Sequence, residues 1–379
     1  MASTIKVTNI NTPDGTGSIT ADRPLLGEGS SLTGVSPRNF IIDGDFTQWP
    51  EGTTARTIAN AYGPALMYLQ KDGDGAATIE RSTDVPTLAQ SSHSSKHSML
   101  IKCTGTDASV ASGAYKEVSF RMTGTDYNSI HGKEVTISFW AKTAAANSGD
   151  VYCYQINKTG TAWAYLHEFT ATSSWQKFTH TVTIDSVATA SDETGYVYFG
   201  FGLGSTGSTY QGTNNTWNSG WKVGTSGMNN FFDSTSNELY ISQHMVTLGS
   251  SAPIFTPLPI STVKDQIDYY VQRYDFDSVS DEIVATGHLW TTTDTHGVGA
   301  LRREMRTAGT ATITSGGSAW QINYDSSHTN MSASLSIVSI GKNTFKFSGA
   351  QSAVGVQGEN VIIKRQGTGT ASYMLDARH

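Results

Sequence analysis

The stretch STYQGTNNTWNSGWK, residues 208–222, sets Tyr210, Trp217 and Trp221 among Asn, Gly, Ser and Thr. These are the residue types a sugar-binding surface needs. One face of a pyranose is apolar and stacks on a flat ring, while its rim of hydroxyls needs hydrogen-bonding partners. No apolar/polar alternation assigns these rings to a core, and large rings left exposed usually serve recognition. Two readings stand: a glycan-binding loop, or a loop folded back to cap the fold beneath it.

Other spacings carry less chemistry. His93 and His97 (HSSKH) are four residues apart, but their Ser and Lys neighbours read as a polar loop rather than a metal site. Asp72 and Asp74 sit among glycines, where Asp-Gly is turn chemistry. The sequence holds no nucleophile elbow, phosphate-binding loop, HExxH or EF-hand motif. No enzymatic activity and no required cofactor are expected.

Composition sets the frame that must position these residues. Of 379 residues, 15% are charged and 37% hydrophobic, while Gly alone numbers 38. Abundant Gly, Ser, Thr and Asn with aromatics favours short strands joined by turns. The net charge of −7 and pI near 5.8 oppose an electrostatic grip on nucleic acid. No apolar run is long enough to span a membrane, and MASTIKVTNI has no secretory signal pattern. Cys103 and Cys153 lie in apolar strand-like runs and read as buried free thiols, with a disulfide as the alternative.

Four segments follow. Residues 1–36 form a Gly- and Ser-rich leader with one strand-like piece, STIKVTNI; a lone strand needs a partner, so this is a docking arm or else a tail. Residues 37–258 alternate with period two, as in KEVTISFWA, where Val135, Ile137 and Phe139 share one face. In WQKFTHTVTI the apolar face carries His180, read as an edge residue. Strands at such intervals predict an antiparallel jelly roll. It opens at NFIIDGDFTQWPEG, expected as the first strand with Trp49 packed at its edge. Residues 259–275 read as a linking helix with Thr262 as N-cap and Val263, Ile267, Tyr270, Val271 and Tyr274 on one face. Residues 276–379 return to strands and predict a smaller β-sandwich.

Taken in order, several motifs make the chain resemble bacteriophage fibre proteins that carry a carbohydrate-binding-module-like jelly roll and a small C-terminal β-domain. NFIIDGDFTQWPEGTT is similar to that domain's opening, with Asp43 where Asn is common. FTPLPISTVKDQIDYYVQRY resembles the linker, with Val271 where Cys is common. LRREMRTAGTATIT resembles the start of the last domain, with Gly309 in a Pro position, and YMLDARH resembles its end. The resemblance implies an all-β, non-enzymatic virion structural protein, a homotrimer docked on other virion proteins by its N-terminal arm and touching host surface glycan. It would be made in the host cytoplasm and released by lysis, without membrane insertion. Related modules often hold a structural Ca²⁺, for which Asp45 and Asp233 would be the ligands. A structural adaptor or head-decoration protein without sugar binding, and a secreted carbohydrate-binding module, are the alternatives.

Overall fold

The structure is a computed structural model and describes residues 38–158, 163–185, 196–205, 209–276, 283–313, 319–325, 327–331, 335–366 and 371–378. The leader and its expected docking strand lie outside the described residues. The protein is all-β, with a jelly-roll sandwich, a short linking helix and a smaller C-terminal sandwich.

In the jelly roll, one sheet runs Arg56–Thr57, Ala76–Ser82, Ser98–Gly105, Glu238–Leu248, Glu134–Thr143 and Gln176–Thr183. The other runs Thr216–Ser219, Trp163–Thr170, Val151–Lys158, Tyr196–Ser205, Tyr115–Thr123, Met67–Asp72 and Ala61–Tyr62. Period-two alternation points one row of each sheet inward. Val135, Ile137 and Phe139 meet Val118, Phe120, Tyr154, Phe199 and Phe201 in one core. Both cysteines are free and buried, and burial raises both thiols above their ordinary range. His180 is half-buried and takes part in a hydrogen bond with the Tyr165 hydroxyl at 2.8 Å; desolvation, helped by His167, lowers it to about 4.

The opening segment is not a strand. Residues 40–45 form bends and turns, with Asp43 and Phe46 at φ 56° and 51°. Asp43 dictates this. Its Oδ1 accepts from the Thr47 amide (2.9 Å) and hydroxyl (2.6 Å), and its Oδ2 accepts from the Gln48 amide (2.8 Å). Such local bonds compete with sheet pairing. Trp49 is buried in the core cluster, and its indole N–H donates to the Phe46 carbonyl at 2.8 Å.

The linking helix spans Ile260–Asp268, with Pro259 rather than Thr262 at its N-cap. Proline's fixed φ suits a helix start. Tyr270, Val271 and Tyr274 fall beyond the helix, because Val271–Phe276 is a strand paired antiparallel with Ala371–Asp376. Long-range pairing overrides the helical spacing there. Val263 and Ile267 of the helix pack on Ala65 and Val271, between the two sandwiches.

The C-terminal sandwich sets a three-stranded sheet (Val271–Phe276, Ala371–Asp376, Thr310–Ile313) against a seven-stranded one. The latter runs Ser327–Asn330, Trp320–Tyr324, Asn360–Arg365, Ile283–Thr291, Asp294–Ala300, Thr344–Ala350 and Ser336–Ile340. Trp320, Phe345, Phe347 and Tyr373 fill the space between. Among the described residues, no helix is long and apolar enough to cross a membrane.

Candidate functional site

A cleft of about 560 Å³ is walled by the opening turn, the loop around His93 and the linker that leads into the helix. Each wall has a local cause. In the opening turn, Gly44 lies against the strand Glu238–Leu248. Its carbonyl accepts from the His244 amide at 2.8 Å, and a Cβ at Gly44 would come within 1.9 Å of the His244 carbonyl oxygen. Only glycine permits that approach. The Asp-Gly-Asp sequence thus sets two carboxylates on either side of a seated glycine.

The second wall follows a single helical turn, Leu88–Ser91, closed by a capping box between Thr87 and Gln90. Gln243 donates to the hydroxyls of Ser91 (2.9 Å) and Ser95 (3.0 Å), pinning this loop to the sheet. His93 Nε2 then meets Asp45 Oδ2 at 3.1 Å, and the His93 ring lies 5.1 Å from Phe255 of the third wall. Asn39, Gln48, Lys96 and Lys264 add polar groups, and Ile41, Leu258, Ile260 and Val263 add apolar ones.

Burial tunes the carboxylates. Asp43 is pushed up to about 7 by desolvation, against the three bonds from Thr47 and Gln48. Desolvation also raises Asp45, while Ser95 and His93 favour its charged form. Asp45 is only 6% exposed, and its Oδ1 receives no hydrogen bond of its own. A buried acceptor left in that state is costly. The cleft therefore combines an aromatic ring, an apolar wall and an acceptor fit for a hydroxyl donor, which is the make-up of a small-ligand site.

The described part of the aromatic segment, residues 209–222, behaves differently from a solvent-facing loop. It contains the edge strand Thr216–Ser219, where Trp217 pairs with Tyr165. Trp217 faces the core side, half-buried, with its indole N–H donating to the Thr183 carbonyl at 3.1 Å. Trp221 and Tyr210 pack on the outer face of the same sheet, Trp221 edge-on to Tyr198 at 4.7 Å and Tyr210 beside Tyr115 at 4.5 Å. Beyond Trp221 the chain is held down. The Asn157 side chain donates to the Lys222 carbonyl (2.7 Å) and accepts from its amide (3.1 Å). Gly202 makes room for the Val223 carbonyl, which a Cβ would meet at 2.0 Å. This strap buries Glu117, Gln155 and Asn157 completely, and desolvation pushes Glu117 up to about 8. The three rings lie on two sides of one sheet and form no common platform.

Asp45 and Asp233 do not converge either. Asp45 flanks the Gly44–His244 contact, whereas Asp233 accepts from Asn237, just before that strand begins. At about 3.3 Å per residue, the seven positions from 237 to 244 separate them by on the order of 20 Å. His93 is taken by Asp45, and His97 faces desolvation and Arg81, which lower it. Among the described residues no group of three or more His, Cys, Asp or Glu could hold a metal ion.

Sequence reasoning missed the cleft. Its residues come from positions 39–48, 93–97 and 255–266, and only the pairing of the opening turn with the strand near His244 joins them. The double carboxylate around a glycine was the one local signal.

No protein-family model and no curated protein matches the sequence. Solved structures similar to the chain are distant. The enzymatically active domain of a tailspike protein of bacteriophage CBA120 matches at 12% identity and TM-score 0.29, over 49% of this chain and 20% of that one. A family 4 carbohydrate-binding module matches at 16% and 0.29, over 55% of this chain and 99% of that one. The family 11 module of a Clostridium thermocellum cellulosomal cellulase matches at 12% and 0.28, over 53% and 98%.

Proposed function

We propose that this protein is a non-enzymatic, glycan-binding structural protein of a phage virion, a trimeric fibre mounted through its N-terminal arm, with the cleft as a sugar site. The observation that carries the glycan reading is the Asp45 carboxylate, buried beside the Phe255 and His93 rings with Oδ1 undonated. Sugar hydroxyls donate to such a carboxylate, and charge-assisted bonds of this kind are the stronger ones. The same geometry supports binding over catalysis. Asp43 is committed to three donors of its own turn, so the cleft offers one open acceptor, Asp45 Oδ1, rather than a pair of free carboxylates.

The test is calorimetric titration of the full chain with neutral oligosaccharides, cellohexaose among them, followed by activity assays for sugar release. Binding without hydrolysis is expected, and Asp45→Asn weakens it roughly tenfold or more, the worth of a hydrogen bond to a charged group. Release of reducing ends, or unchanged affinity in a folded Asp45→Asn protein, would overturn this reading.

A structural adaptor without sugar binding is favoured by a different observation. Ile254, Leu258 and Ile260 line the linker and are 58%, 49% and 52% exposed. Apolar side chains gathered in this way suit a contact between chains. Light scattering that gives three chains, together with no sugar binding, supports the adaptor.

A further inference from the structure

The outward face of the seven-stranded C-terminal sheet presents a flat ring to solvent. Trp290 is 55% exposed, although its neighbour Leu289 is fully buried in the core. The indole lies nearly parallel to the His296 imidazole, with 5.1 Å between centroids and 19° between planes. The imidazole backs one face of the indole, and the side chain as a whole stays more than half exposed. His288 stands 6.2 Å from the indole and directly opposite His296 in register. One row along, Val298 pairs with Lys346, whose charge reaches His296. Lys346 makes no ion pair among the described residues. Asp294, also beside His296, already accepts from the Thr291 hydroxyl at 3.0 Å.

A ring held flat by an imidazole behind it gives the stacking plane that a pyranose face requires. The charges around it are mostly cationic or protonatable. Lys346 lies on the neighbouring strand, two positions along from the residue opposite His296, a diagonal of about 7–8 Å that its long side chain can span. We propose that this face is a second carbohydrate site, which takes an acidic pyranose with its C–H face on Trp290 and its carboxylate towards Lys346. The inference rests on the proposed function only in that both sites bind glycan, and it uses none of the cleft residues.

The test titrates the full chain with hexameric oligogalacturonate and with its methyl ester, reading tryptophan fluorescence and heat. Wild type binds the acid form more tightly than the ester. Trp290→Ala weakens binding about thirtyfold, as expected for a stacked hot-spot aromatic, and leaves the melting temperature unchanged. Lys346→Met removes the preference for the acid form. Asp45→Asn, which disables the cleft, leaves oligogalacturonate binding intact, so loss of cellohexaose binding alone bears on the cleft and not on this site. No binding of oligogalacturonate by wild type, or wild-type affinity in Trp290→Ala, overturns the proposal. A change of oligomer mass in Trp290→Ala also overturns it, because the face would then be a contact between chains.

Discussion

Arg378, one residue from the C-terminus, forms a buried ion pair with Glu51, which follows the opening turn of the first sandwich; the two side chains are 2% and 4% exposed. Arg378 also bonds Asp376 and donates to the Ala65 carbonyl at 3.1 Å, with its guanidinium 4.1 Å from the Tyr62 ring centre. The last strand thereby fastens the C-terminal sandwich to the first, close to the helix residues that pack on Ala65.

Removing one partner leaves a buried charge uncompensated. Arg378→Ala is expected to cost about 3–5 kcal/mol, and a double replacement of Arg378 and Glu51 by Met recovers much of that. Urea unfolding of the two single variants and the double one checks this. Additive losses would show that the pair is not coupled.

His244 predicts an acid limb. It is fully buried, takes part in a hydrogen bond with the Tyr154 hydroxyl at 2.7 Å, and desolvation lowers it to about 3. Its folded value lies below the unfolded value of about 6.5. Below pH 6.5 the unfolded chain therefore takes up a proton that the native protein refuses. The stability contributed by neutral His244 is present above that pH and is lost as pH falls towards 3, by roughly 4–5 kcal/mol in total. His244→Gln, whose amide can pair with the Tyr154 hydroxyl in either direction, should flatten the fall in melting temperature between pH 6.5 and 3. An unchanged slope would assign the limb to other groups.

Trp217 and Trp221 are expected to act on stability. Each is half-buried against another ring of the sheet, so Trp→Ala costs about 2 kcal/mol, below the loss for a fully buried ring. In a domain of this size that lowers the melting temperature by roughly 4–8 °C. Sugar affinity should hardly change. Lost affinity with an intact melting temperature would restore the strap as a binding loop.

Gly44→Ala is expected to cost about 1–3 kcal/mol as overpacking against the His244 carbonyl, and to weaken cleft binding as Asp45 shifts. Gly52→Ala is the control. Gly52 has φ 98° but open space around it, so it carries backbone strain without displacing the cleft. Equal binding losses in both variants would separate the cleft from the Gly44 contact.

Much of the fold was legible in local pattern. The alternation of Val135, Ile137 and Phe139 marked an inward row, because a strand sends successive side chains to opposite faces, and the Gly- and Thr-rich composition marked an all-β chain. The same local rules misplaced two things. Val271 and Tyr274 fit a helix by spacing but joined a strand, because Ala371–Asp376 supplied a partner from a hundred residues away. NFIIDGDF read as a strand but bends, because Asp43 bonds its own turn. Trp217 and Trp221, left open between a binding loop and a cap, lie on opposite sides of one sheet, and Trp290 lies on the open face of another. Sequence period fixes that neighbouring residues face opposite ways. Which face meets the core, which is covered by a strap and which stays open depends on sheet register and on segments far apart in the chain. The cleft is the clearest case, since Asp45, His93 and Phe255 meet only where the opening turn closes on the strand through His244.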